Sequence, residues 1–122
     1  RPWIGPHASA RYEWQLAAIE GIGLDDLEMD ATLAVIAGFT ESAARSSIEA
    51  ARARTESGMS DEQWWEISAP VLARLMDGDD YPVSGRVGTA VGAEYQSIGS
   101  PERSFEFGLA RIIDGVEALL DR

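Results

Sequence analysis

Few residues in this chain can do chemistry. It has no cysteine and one histidine, His7, which excludes disulfides, thiolate metal sites and multi-histidine metal centres within one chain. No Glu or Asp precedes His7, so the Glu-x-x-His pair of a di-iron bundle is absent too. Carboxylates such as Asp30 and Glu41 are the remaining acid–base groups, and alone they supply no nucleophile–base pair. The sequence therefore predicts no catalytic residue, no metal site and no cofactor, and it argues against an enzyme. Glu41 has Arg45 four residues on, a spacing worth only about 0.3–0.5 kcal/mol on an exposed helix face. His7, alone near a helix start, reads as a surface residue. Gln15 stands out: it sits on an apolar helix face between Tyr12 and Ile19. A buried amide needs partners, either a neighbouring backbone or a ligand.

Helices must position these residues, because no alternating apolar run of useful length and no Asn-Gly or Asp-Gly turn marks a strand or hairpin. A first helix starts at Pro6 or His7, where a missing N–H does no harm, and stops at Gly21-Ile22-Gly23. Tyr12, Leu16 and Ile19 share one face, with Trp14 opposite. A second helix begins near Asp25 or Asp26, with acids in its first turn, and runs to about Thr55. Its centre, Ala31 to Phe39, is apolar all round, the pattern of a helix surrounded by protein. Ser57-Gly58 breaks the chain, and Ser60-Asp61-Glu62-Gln63 is a capping-box start for a third helix. Trp64, Ile67, Val71 and Leu75 form its stripe, with Trp65, Leu72 and Met76 beside it. Pro70 predicts a kink or a restart, and Gly78-Asp79-Asp80 closes the helix. A Gly-rich segment from Pro82 to Tyr95 reads as a weak helix. Ser100-Pro101 caps a last helix, about Glu102 to Leu120, whose apolar arc holds Phe105, Leu109, Ile112, Ile113, Val116, Leu119 and Leu120.

The 122 residues suit one domain, and an apolar content of 45% supports a core. Acids outnumber bases by 21 to 10, for a net charge of −11. A segment that grips DNA neutralises phosphates with a basic patch, so the charge balance argues against direct DNA binding by this stretch. All ten basic residues are arginine, a bias that points to a GC-rich bacterial genome. No apolar run is long enough to span a bilayer and no signal peptide opens the sequence, so a soluble, cytoplasmic domain with no membrane partner is expected. The opening Arg1-Pro2-Trp3-Ile4-Gly5-Pro6 lacks an initiator Met and reads as the middle of a connection, the start of the C-terminal part of something longer.

Two helices carry more apolar surface than one copy can cover. The second is sheathed in apolar residues, including Val35 and Phe39. The last has a wide arc edged by Gly108 and Gly115, two turns apart. Interior helix glycines cost about 1 kcal/mol each against alanine, and close approach of another helix is the usual compensation. Phe107 lies amid charged neighbours, where one subunit leaves it in water unless it packs on its own Gly-rich segment. Pairing both helices with their symmetry mates gives an isologous four-helix bundle. The predicted fold is all-α, a multi-helix domain with a homodimer interface formed by Val35, Phe39, Phe105, Phe107, Gly108, Ile112, Gly115 and Leu119.

The stretch Phe105-Glu106-Phe107-Gly108-Leu109-Ala110-Arg111-Ile112-Ile113-Asp114-Gly115-Val116-Glu117-Ala118-Leu119 resembles the last helix of the C-terminal domain in the tetracycline-repressor class of the TetR family. That class carries a similar F-x-F-G-L-x-x-I-I-x-G-hydrophobic-E pattern there. Gly38-Phe39-Thr40 is similar to the other bundle helix, and Glu13 to Ala17, continuing to Gly23-Leu24, is similar to the helix that lines the effector cavity. The segment from Gly58 to Gly99 matches only in outline. The resemblance implies that residues 1–122 are an effector-binding and dimerisation domain of a cytoplasmic repressor. A small hydrophobic ligand would then shift the helices and respace two N-terminal helix-turn-helix heads on a palindromic operator. Those heads would lie before Arg1, so operator DNA would be a partner only through them.

The resemblance also implies a ligand set. The family places an effector-contacting amide at the position of Gln15. Tyr12, Leu16 and Ile19, with Leu33, Ala37 and Thr40 on the second helix, would line the cavity walls. Trp64 and Trp65 fall in the region that helps close the pocket, and Trp3 ahead of the first helix joins them. Gly38 stands where the tetracycline-binding class has a histidine, which argues against a drug–metal chelate as effector. The competing reading is a helical homodimer that binds protein and has no ligand cavity.

Overall fold

The computed structural model describes every residue except Pro2, Gly78 and Asp79. Five α-helices follow one another: α1 (Pro6–Ile19), α2 (Asp26–Ser57), α3 (Asp61–Leu75), α4 (Pro82–Tyr95) and α5 (Pro101–Leu120). No strand occurs among the described residues. The chain is all-α, as its periodicity predicts. The Gly-rich stretch from Pro82 is a full helix, and two of the expected closing residues of the third helix, Gly78 and Asp79, lie outside the described residues.

The helix ends follow local chemistry. Pro6 occupies the first turn of α1 behind Gly5. At the start of α2 the Asp25 carboxylate accepts from the Glu28 N–H at 2.8 Å while the Glu28 carboxylate accepts from the Asp25 N–H at 2.9 Å. Two orphan N–H groups are thereby satisfied. Gly58, at φ +66°, ends α2 in the left-handed region that glycine enters without strain. The expected capping box of α3 is present: Ser60 Oγ accepts from Gln63 N–H at 3.1 Å, and Gln63 Oε1 accepts from Ser60 N–H at 2.9 Å. The expected restart at Pro70 does not occur, since α3 is helical on both sides of it.

Contacts divide the chain into two compact units. The first comprises Arg1–Ala43 and Phe105–Arg122, the second Ala44–Ser104. In the first unit α2 and α5 run antiparallel: Phe39 stacks on Phe105 with ring centroids 5.6 Å apart, and Arg122 hydrogen-bonds Glu28 at the opposite end. In the second unit α3 packs on α4.

No described hydrophobic side chain is buried. In the first unit Phe107 is 65% exposed, Val35 54% and Ile113 49%. The Phe107 ring is covered on one face by the Arg111 guanidinium, 4.9 Å from the centroid.

Candidate functional site

The ligand-lining residues expected from sequence fall into both units. Tyr12, Gln15, Leu16 and Ile19 of α1, Leu33, Ala37 and Thr40 of α2, and Trp3 ahead of α1 belong to the first; Trp64 and Trp65 of α3 belong to the second. Gln15, Leu16, Ile19 and Leu33 are half-buried, while Tyr12, Ala37 and Thr40 are exposed. Trp3 is 94% exposed. Gln15 is thus a half-buried amide among apolar neighbours, and its helix position follows from the i, i+3, i+4 spacing that also aligns Tyr12, Leu16 and Ile19.

Sequence reasoning missed the polar partner in this group. The Tyr12 hydroxyl donates to the Asp30 carboxylate and ties α1 to the first turns of α2. Donation to Asp30 holds the phenol above its ordinary pKa, with partial desolvation and the Asp30 charge acting in the same direction. The pair spans two helices, so no spacing in the sequence reveals it. Asp30 at the rim of an apolar run was its one visible sign.

At the other end of the same unit, Glu28 sits under Arg122. The guanidinium lowers the Glu28 pKa, the Asp25 backbone N–H lowers it further, and partial desolvation opposes both. The same pairing raises Arg122.

The expected interface residues are organised by one aromatic cluster. Phe39 lies between Phe105 and Gly108: a Cβ on Gly108 would stand 2.5 Å from Phe39 Cε2 and Cζ. Gly108 therefore already serves a contact inside its own chain. Gly115 is different, with no heavy atom within 4 Å of an added Cβ. Ile112 is half-buried, Leu119 is 36% exposed and Phe105 37%.

In the second unit the structure corrects the face expected for α3. The stripe read from sequence is open to solvent, with Ile67 65% and Leu75 70% exposed. Trp65, Ala69, Leu72, Ala73 and Met76 instead face α4 across a cleft of 590 Å³. The reason is steric. A Cβ on Gly92 would lie 2.3 Å from Trp65 Cζ2, so only a glycine lets the indole seat there. Gly92 is the one buried residue among those described. Gly85, Gly88 and Gly92, at i, i+3 and i+7, share that face of α4, a signal visible in the sequence as glycine content but not as a wall.

Among the described residues no group of three or more His, Asp or Glu could hold a metal ion, and no helix is long and apolar enough to cross a membrane. What the helices offer is apolar surface, one half-buried amide and a cleft. These are features of a binding domain.

Known proteins fit that class. The family model described as "Tetracyclin repressor-like, C-terminal domain" matches residues 1–120. The HTH-type transcriptional repressor DrrR1 of Streptomyces coeruleorubidus is 32% identical over 120 residues, which are 98% of this chain and 42% of that relative. The chain thus belongs to the TetR family of transcriptional regulators and spans less than half the length of this relative.

Proposed function

We propose that residues 1–122 are the effector-binding and dimerisation domain of a TetR-family repressor. Two copies pair through α2 and α5, and a small hydrophobic molecule settles beside Tyr12, Gln15, Leu16, Ile19, Leu33, Ala37 and Thr40, with Trp3 ahead of α1. Operator DNA is contacted by an N-terminal helix-turn-helix domain of the whole protein; the relative is named as an HTH-type repressor. The net charge of −11 supports assigning DNA contact elsewhere.

The observation that carries the dimer is the exposed apolar arc: Val35, Phe107, Ile113 and Leu119 all stand at least one-third in water in the lone chain. The half-buried Gln15 carries the effector site, because an amide among apolar side chains fixes a ligand's orientation at little cost in packing. An effector that favours one of two helix packings would shift the population between DNA-competent and released states.

Sedimentation of the 122-residue chain, with and without a library of hydrophobic drugs and metabolites screened by thermal shift, tests both parts. A dimer whose melting rises with particular library members, and loses that response in Gln15→Leu, is the expected result. A monomer at micromolar concentration removes the dimer; a dimer with no responsive compound favours a domain that only joins subunits.

A further inference from the structure

The first turns of α2 are held from two sides. Glu28 and Asp30 are two residues apart, about 200° around the helix at 3.6 residues per turn, so they face opposite ways. Asp30 accepts from the Tyr12 hydroxyl and ties α2 to α1. Glu28 faces α5: its Oε2 accepts from Arg122 Nη2 at 2.6 Å, and Arg122 Nη1 lies 2.5 Å from its Oε1. This forked pair joins residues 94 apart in sequence. The same Glu28 Oε2 also accepts from the Asp25 N–H that opens α2. The two ties share no residue and meet only through the backbone of α2 between Glu28 and Asp30.

The turn between α1 and α2 is built to pivot. Gly21 (φ +79°) and Gly23 (φ +117°) both adopt positive φ, which glycine enters without steric cost. The end of α5 rests on this turn: a Cβ on Gly23 would stand 3.4 Å from Leu120 Cδ2, ordinary van der Waals contact. A few turn residues of this kind absorb the backbone rotation when a packed helix moves as a body. A swing of α1 pulls on Asp30 through Tyr12. The first turn of α2, stiffened by the reciprocal Asp25–Glu28 cap, carries that pull to Arg122.

We propose that the first turn of α2 is a joint that couples α1 to α5, with Glu28 and Arg122 as its positioning residues. Displacing α1 loosens the end of α5, and freeing the end of α5 loosens α1, because a coupling free energy acts equally in both directions. Resting on the reading of α1 as the effector helix and α5 as a pairing helix, the joint is the route by which a bound molecule alters subunit pairing.

Hydrogen–deuterium exchange of the 122-residue chain, read by mass spectrometry with no compound present, tests this in Tyr12→Phe, Arg122→Met and the double variant. Both side chains are exposed, so neither substitution threatens the fold. Tyr12→Phe should speed exchange in the last two turns of α5 by at least about threefold, and Arg122→Met should do the same across α1. Each effect falls on the helix that the substitution does not touch. In the double variant the effects do not multiply, because a joint cut on one side has little left to lose on the other. Exchange there rises by less than about twofold beyond the larger single effect. Arg122→Lys, which keeps the charge and loses the fork, falls between the parent and Arg122→Met. Peptides from the centre of α2, Ala31 to Phe39, exchange as in the parent. Effects confined to the substituted helix, effects that multiply in the double variant, or an equal rise at the centre of α2 overturn the proposal. The effector reading fails separately: a library screen with no responsive compound leaves the joint standing, and a joint that fails here leaves Gln15 and its neighbours as the effector site.

Discussion

Two identical substitutions on α4 should have opposite signs. Gly88→Ala places a methyl group where no heavy atom lies within 4 Å, whereas Gly92→Ala places it 2.3 Å from Trp65 Cζ2 and 3.1 Å from Cε2 and Cη2. Alanine in a helix interior is favoured over glycine by about 0.8–1.0 kcal/mol, and Gly88→Ala should realise most of that gain. Gly92→Ala gains the same propensity, but carbon atoms pack at about 3.5–4.0 Å, so the indole must retreat by more than an ångström. Overpacking of this kind costs about 1–3 kcal/mol, and Trp65 can yield only by giving up its seat on Gly92. The net expectation for Gly92→Ala is a loss of about 1 kcal/mol, a gap of about 2 kcal/mol between the variants. Urea unfolding followed by far-UV circular dichroism at one protein concentration reads the difference, with the slope checked for constancy. Gly92→Ala as stable as Gly88→Ala would mean that Trp65 does not occupy the glycine, and the derived geometry of the cleft would be wrong.

Gly115→Leu should lower the sedimentation mass from dimer toward monomer while far-UV dichroism stays helical, because Gly115 faces open space within its own chain. Gly108→Leu should unfold the first unit instead, since its side chain meets Phe39; equal behaviour of the two variants would refute the division of roles. The Glu28 carboxyl is held below its ordinary pKa, first by Arg122, so its contribution is present above the ordinary glutamate value and is lost as pH falls through the lower folded value. Glu28→Gln should therefore be less stable than the parent at neutral pH and converge with it in acid; a gap that persists at low pH would assign the effect to the cap and not to the charge pair.

Much of this fold was legible because its boundaries are chemical. Pro6, Gly58, the Ser60–Gln63 box and Pro101 mark helix ends by local hydrogen-bonding needs that any context shares. Faces were harder to read. On α3, Trp64 and Trp65 are adjacent, so periodicity alone gives two apolar stripes and no choice between them. The choice is made by Gly92 on another helix, whose missing side chain admits Trp65 and leaves Ile67 and Leu75 outside. Pro70, which predicts a kink or a restart, lies inside a continuous α3. Asp30 was invisible as a partner of Tyr12 because their pairing crosses two helices. Gly108 and Gly115 look equivalent in sequence, yet Phe39 fills the space at one and nothing of this chain fills the space at the other.

That last contrast bears on how the chain can be stable at all. Antiparallel α2 and α5 close on each other at Phe39–Phe105 and at Glu28–Arg122, but no hydrophobic side chain among the described residues of this unit is buried. A large apolar side chain gains about 1.5–3 kcal/mol when fully buried. Val35, Phe107, Ile113 and Leu119, each about one-third to two-thirds exposed, therefore forgo roughly 1 kcal/mol apiece in the lone chain. A two-fold axis counts each of them twice, for about 8 kcal/mol gross before the cost of association. That is about 4 kcal/mol per chain, of the same order as the margin by which small domains are commonly folded, about 5 kcal/mol at the low end, so folding and pairing should be coupled. The melting midpoint should then rise with protein concentration, by about 1.4 kcal/mol of apparent stability per decade, or roughly 3–6 °C for a dimer of this size. A midpoint that stays fixed from micromolar to tens of micromolar, with a monomer's mass throughout, would show that one copy hides this surface by itself, and the dimer face on α2 and α5 would have to be abandoned.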